Sequence, residues 1–245
     1  MTYCALRQKV EIMTTGKQSE EVEKEYMQAV GRVKHPRKIQ QCFHLLVEGL
    51  ERKRYDFLGT FSGDLGVNDK KHKGQFFTPP GLCKLMAQIT VKGVKPVSGR
   101  TLWLSEPASG GGAMLIATTD ALYENGFSPF DIHWVANDID RACYQMTYIQ
   151  TTLLGIPCEV RQENTLTLEQ WNSNRNFISY LYPWKQRTCT MVDRNGELFD
   201  LTTFRDGSHK IRDAETEVTQ SNPLLDLLEE LEADTGTPGT QQSLF

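Results

Sequence analysis

The chain has 245 residues, 39% of them hydrophobic and 24% charged, with a net charge of −4, the make-up of one sizeable soluble domain with appendages. No apolar run approaches the length of a membrane helix, and the first residues lack the apolar core of a signal peptide. Six scattered cysteines form no C-x-x-C pair, which argues against a zinc site or disulfide frame and for reduced thiols in the cytoplasm.

Residues 1–73 hold fourteen Lys/Arg against ten Asp/Glu, whereas residues 214–245 hold seven acids and no Lys or Arg. A basic front and an acidic tail suit a nucleic-acid partner. Residues 19 to about 58 carry a helical pattern broken at His35-Pro36, with Ile39, Cys42, Phe43, Leu46 and Leu50 spaced to face a core. Gly74-Gln75-Phe76-Phe77-Thr78-Pro79 follows and leads into a helix over about residues 80–89. Its two aromatics suit the wall of a flat ring as well as a core.

Leu102–Leu115, LWLSEPASGGGAML, organises what comes next. A short apolar strand ends on Glu106, a glycine-rich turn runs from Pro107 to Gly112, and a helix opens at Ala113. Glycines let a ligand approach the backbone, and the helix start offers free N–H groups. A second strand, His133–Ala136, runs into Asp138, an acid suited to a ribose diol. Asp140 then caps a helix whose inward residues are expected to be Cys143, Met146, Ile149 and Leu153. A third strand around Glu159–Arg161 leads to Glu163-Asn164-Thr165-Leu166. Alternating strands and helices predict a parallel, doubly wound sheet with its ligand at the carboxyl edge. Arg187–Phe204 has the pattern of a hairpin around Asn195-Gly196. The pattern of Pro223–Glu232 predicts a short acidic amphipathic helix, followed by a flexible linker.

Together these motifs resemble the N6-adenine DNA methyltransferase family, especially modification subunits of type I restriction systems and short phage- or plasmid-borne relatives. Gly74–Pro79 looks like the family's N-terminal S-adenosylmethionine motif, Ser105–Leu115 its glycine motif, Ala136–Asp140 its ribose acid and Glu163–Leu166 its adenine contact. The resemblance implies an α/β, Rossmann-like S-adenosylmethionine-dependent methyltransferase sheet with an N-terminal helical segment. It implies a helical region over 1–73, the cofactor domain over 74–205, and an acidic helix and tail over 206–245. S-Adenosyl-L-methionine would be held by Phe76, Phe77 and Thr78, by Glu106, Pro107, Gly110 and Gly112 at its methionine part, by Asp138 at its ribose and by Asn164 at its adenine.

The family's catalytic motif is Asn/Asp-Pro-Pro-aromatic, because a flipped adenine must stack on a ring while its amine is polarised. The matching stretch here is Leu181-Tyr182-Pro183-Trp184, where leucine stands in place of the amide or acid. Tyr182, Pro183 and Trp184 are thus a degenerate catalytic motif. The implied activity is adenine-N6 methylation of DNA, or the cofactor-binding part of it. The alternative is a catalytically inactive, methylase-like protein that binds DNA or a partner such as the bacterial sliding clamp or a restriction complex, and a specificity or restriction subunit is a further candidate partner. A nicotinamide-dependent oxidoreductase shares the ribose acid but leaves Gly74–Pro79 unexplained. Gln241, Leu244 and Phe245 resemble the terminal peptide by which bacterial proteins dock on the sliding clamp. No metal or membrane partner is expected.

Overall fold

The computed structural model describes residues 1–64 and 77–181, and the backbone of two further strands over 188–192 and 198–200. Four helices open the chain: α1 (Thr2–Thr15), α2 (Glu20–Gly31), α3 (Pro36–Arg52) and α4 (Phe57–Asp64). Ser19 caps α2 through Val22 N, and acids at 20, 21 and 23 suit the positive end of its dipole. Pro36 opens α3, so the break expected at His35-Pro36 is a helix start. The helical stretch expected to reach residue 58 instead ends at Arg52, and Asp56 starts α4 afresh by accepting a hydrogen bond from Gly59 N (2.7 Å). Of the expected core positions on α3, Leu46 and Leu50 are buried, Ile39 and Phe43 are half-buried, and Cys42 is exposed. Only the last two turns of α3 pack inward.

The sheet-forming part runs α5 (Pro80–Thr90), β1 (Arg100–Glu106), α6 (Ala113–Glu124), β2 (Ile132–Asp138), α7 (Arg141–Leu153), β3 (Cys158–Asn164), β4 (Glu169–Arg175), α8 (Phe177–Tyr180), β5 (Thr188–Val192) and β6 (Leu198–Asp200). Strand order is β4-β3-β2-β1-β5-β6. β3, β2, β1 and β5 are parallel, and each edge is closed by an antiparallel strand. This is the expected Rossmann-like α/β architecture with an N-terminal helical segment. The hairpin expected over 187–204 is the β5–β6 pair, with Val192 opposite Leu198. β4 has a polar sequence without apolar alternation, and it forms because the chain folds back at Asn164. The Asn164 side-chain oxygen accepts from the N–H groups of Leu166 (3.1 Å) and Thr167 (3.3 Å).

α6 and α7 lie on one face of the sheet. Trp134 donates its indole N–H to Thr119 of α6 (2.9 Å), while Tyr144 of α7 receives a bond from Asn174 of β4 (2.5 Å). Leu115, Ile116, Leu122, Tyr144 and Tyr148 meet Ile132, Trp134, Ala136, Cys158 and Val160 there. Tyr3 of α1 joins the same core, packing edge-on against Tyr144 and Tyr148 and sharing a 2.8 Å hydroxyl contact with Tyr144. The inner face of α7 departs from expectation. Cys143 and Ile149 are buried, but Met146 and Leu153 are only half-buried, and Thr147, Gln150 and Thr151 are buried instead. Those polar groups have backbone to hold.

Candidate functional site

Three neighbouring strands end on the three residues singled out for ligand contact: β1 on Glu106, β2 on Asp138 and β3 on Asn164. Parallel pairing aligns the strand ends, so side chains far apart in sequence share one edge. The glycine turn lies across this edge. Gly110 and Gly112 have φ of 56° and 99°, left-handed backbone that suits glycine. Gly112 caps α6, whose first N–H groups open toward the turn.

The turn is held from below. Asp138 Oδ2 accepts from Gly110 N (2.8 Å), and Oδ1 accepts from Asp140 N (2.8 Å). Ser109 N donates to Asn137 O (2.8 Å), and Thr147 Oγ1 donates to Gly110 O (3.0 Å). Glu106 accepts from Ala108 N (3.1 Å). Thr165 Oγ1 donates to Pro107 O (2.7 Å), which brings the β3–β4 turn beside the glycines. Phe77 lies on the turn: a Cβ added to Gly110 would stand 3.4 Å from its ring. Thr78 is half-buried at the start of α5, and its carbonyl accepts from Cys83 Sγ (3.6 Å).

Both acids are pushed up from ordinary carboxylate values. For Asp138 the cause is burial, opposed by the Asp140 and Gly110 N–H bonds and helped by the Asp140 charge. For Glu106 it is burial, opposed by the Ala108 N–H and reinforced by the charge of Asp138. The Asp138 charge raises Glu106 and the Asp140 charge raises Asp138, and acids gathered in this way favour a cationic group beside them. Asp138 is 6% exposed, and its two bonds leave lone pairs for a hydroxyl. The Asn164 oxygen is spent in its own turn, so its amide N–H₂ is the part left for a ligand.

Ile139, 58% exposed between the two acids of the β2 end, was not singled out from the sequence, because an isoleucine beside a strand passes for core. Asp56, Thr147 and Gln150 were missed too. Their only signal is polar residues at i and i+3 on a helix face and an aspartate just before a helix start. Phe76 lies outside the described residues, as do Tyr182, Pro183 and Trp184, residues 223–232, where an acidic helix is expected, and Gln241, Leu244 and Phe245.

The residues bracketing the expected catalytic stretch stand at the opposite edge. α8 is pinned to the amino end of β3, where Asn176 donates to Ile156 O (2.7 Å) and accepts from Cys158 N (3.2 Å). Leu181 caps that helix and is 53% exposed. Thr188 pairs with Arg100, the first residue of β1. A seven-residue strand puts this edge about 20 Å from the glycine turn.

A parallel sheet with helices packed on it, its strand ends and glycine turn forming an acid-lined cradle, defines a Rossmann-like α/β protein. The N-6 DNA methylase family model matches residues 57–206, more than half of the chain, and the chain belongs to that family. Among solved structures, the chain is similar to the methyltransferase subunit of a type I restriction-modification system from Streptococcus thermophilus. The identity is 24% over 34% of this chain and 16% of that one, with a TM-score of 0.28, so the match spans about a sixth of that subunit. No curated protein matches the chain. None of the helices among the described residues is long and apolar enough to cross a membrane.

Proposed function

We propose that the cradle holds S-adenosylmethionine and that the chain is an adenine-N6 DNA methyltransferase, or the cofactor-holding part of one. The observation that carries this reading is the placement of two carboxylates, Glu106 and Asp138, at the ends of neighbouring strands against the glycine turn, where they hold Ala108 N and Gly110 N. A sulfonium and an ammonium relieve that pair. The pyrophosphate of a nicotinamide dinucleotide would add to its repulsion. Glu106 with the Gly111 N–H and the first N–H groups of α6 would hold the methionine part, and Asp138 the ribose. Phe77 and Ile139 offer apolar surface to the adenine, and Asn164 an amide N–H₂. When bound, the cofactor supplies an electrophilic methyl group, and the contribution of these residues is to hold and orient it.

DNA is the acceptor this reading implies, with target recognition supplied by a specificity or restriction subunit. A specific observation favours the form without its own acceptor pocket. Leu181 occupies the amide or acid position of the motif, and both Leu181 and Thr188 stand at the amino edge. Titration calorimetry with S-adenosylmethionine and, separately, with NAD tests the cofactor, and tritiated methyl transfer to unmethylated DNA tests the reaction. Binding with transfer supports the enzyme, and binding without transfer supports a cofactor-holding part. NAD binding in place of S-adenosylmethionine would overturn the proposal.

A further inference from the structure

We propose that Asp56 and Gln150 are positioning residues that clasp the glycine turn, so that the cofactor site depends on the N-terminal helices as well as on the strand ends. The inference rests on the cofactor reading above. Asp56 lies about fifty residues before the turn and is 3% exposed. Its carboxylate sits between two glycine backbones. A Cβ on Gly59 would come 2.0 Å from one carboxylate oxygen, and a Cβ on Gly111 would come 2.3 Å from the other. Gly111 therefore has a steric reason that its place in a turn does not reveal.

Gln150 completes the clasp from α7 and has no exposure. Its Nε2 donates to Asp56 Oδ1 (2.8 Å) and to Gly111 O (2.6 Å), and its Oε1 accepts from Leu58 N (3.1 Å). Both amide protons and the oxygen are committed, which fixes a single orientation. One turn earlier, Thr147 holds the carbonyl of Gly110. A trans peptide sets its N–H opposite its carbonyl, so holding Gly110 O on α7 turns the Gly111 N–H away from that helix. Without these bonds a run of three glycines has many backbone states to lose when a ligand binds.

Burial pushes the Asp56 carboxyl up from its ordinary value, against the bonds from Gln150 and Gly59. An exposed serine would cap α4 without that cost, so the aspartate marks a second role.

The test uses the full chain and four variants: Asp56→Ala, Asp56→Asn, Gln150→Leu and, as a control at the far edge, Asn176→Ala. S-Adenosylmethionine affinity is measured by calorimetry at a temperature where circular dichroism shows each variant folded. Amide exchange at Gly111 and Gly112 is followed without ligand. Asp56→Ala and Gln150→Leu should weaken affinity at least tenfold and speed exchange in the turn. Asp56→Asn, which keeps an oxygen for Gly59 and Gln150, should stay within about threefold of the unmodified protein. Asn176→Ala should lose melting temperature with affinity and turn exchange unchanged. Should Asp56→Ala not fold, Gln150→Leu against Asp56→Asn carries the same comparison. Wild-type affinity in folded Asp56→Ala and Gln150→Leu, or losses no different from those of Asn176→Ala, overturns the clasp. If the unmodified protein fails to bind S-adenosylmethionine, the cofactor reading falls, while faster turn exchange in the two variants still supports the clasp and unchanged exchange overturns it.

Discussion

The two edges of the sheet are both held by buried polar side chains, yet they are built for different ends. At the amino edge the Asn176 amide donates to Ile156 O and accepts from the N–H groups of Cys158 and Ser179. It is neutral, fully buried and satisfied by backbone of the same chain. At the carboxyl edge, Glu106 and Asp138 also bind backbone N–H groups, but they bring two like charges together under a half-open turn. A neutral amide with both its nitrogen and its oxygen bonded stabilises a fold without calling for a ligand. Paired carboxyls with raised affinity for protons leave an electrostatic demand that a cationic ligand fills. On the proposed function, that contrast separates scaffold from site without reference to sequence motifs.

The strongest way to break it is Asp138→Ala, which removes the charge-assisted bonds from Gly110 N of the turn and from Asp140 N, together with the proposed ribose partner. S-Adenosylmethionine affinity should fall at least thirtyfold, about 2 kcal/mol, by calorimetry. Unchanged affinity would sink the assigned site. Asn176→Ala makes the complementary case, because it orphans the Ile156 carbonyl and the Cys158 N–H. Chemical denaturation should register a loss of about 2 kcal/mol, with cofactor affinity kept. If binding fell instead, the two edges would not be separable.

Protons sharpen the comparison further. Glu106 and Asp138 are raised by burial and by acidic neighbours, so they hold protons to higher pH than an exposed carboxyl. A cationic ligand needs their ionised forms. Affinity should therefore fall as pH is lowered from neutrality through the raised values, with protons released on binding. Calorimetry in buffers of different ionisation enthalpy reads that release, and a pH-independent affinity would count against the acid pair. The smallest effect is expected of Thr165→Val, which removes only the hydroxyl bond to Pro107 O. About twofold weaker binding, near 0.5 kcal/mol, should follow, with the β3–β4 turn otherwise intact.

Much of the carboxyl edge was legible beforehand because its signals are local. A strand ending in an acid, glycines, then a helix start can be read within fourteen residues, and the same holds for Asp138 with its capping neighbour Asp140. The inner face of α7 follows its apolar pattern only at Cys143 and Ile149, with Thr147, Gln150 and Thr151 buried beside them. Its buried polar stripe is explained only by carbonyls some forty residues away. β4 escaped for a similar reason, since its polar sequence pairs along a sheet edge and relies on the turn at Asn164.

By itself, then, the sequence determined the alternation of strand and helix from β1 to β3, the glycine turn and the acids at the strand ends, each read from residues close in the chain. Tertiary structure alone decided that Glu106, Asp138 and Asn164 share one edge and that Leu181 and Thr188 bracket the other. It alone seats Asp56 against Gly111. Those facts depend on strand register and on close packing between distant segments, which no local pattern encodes.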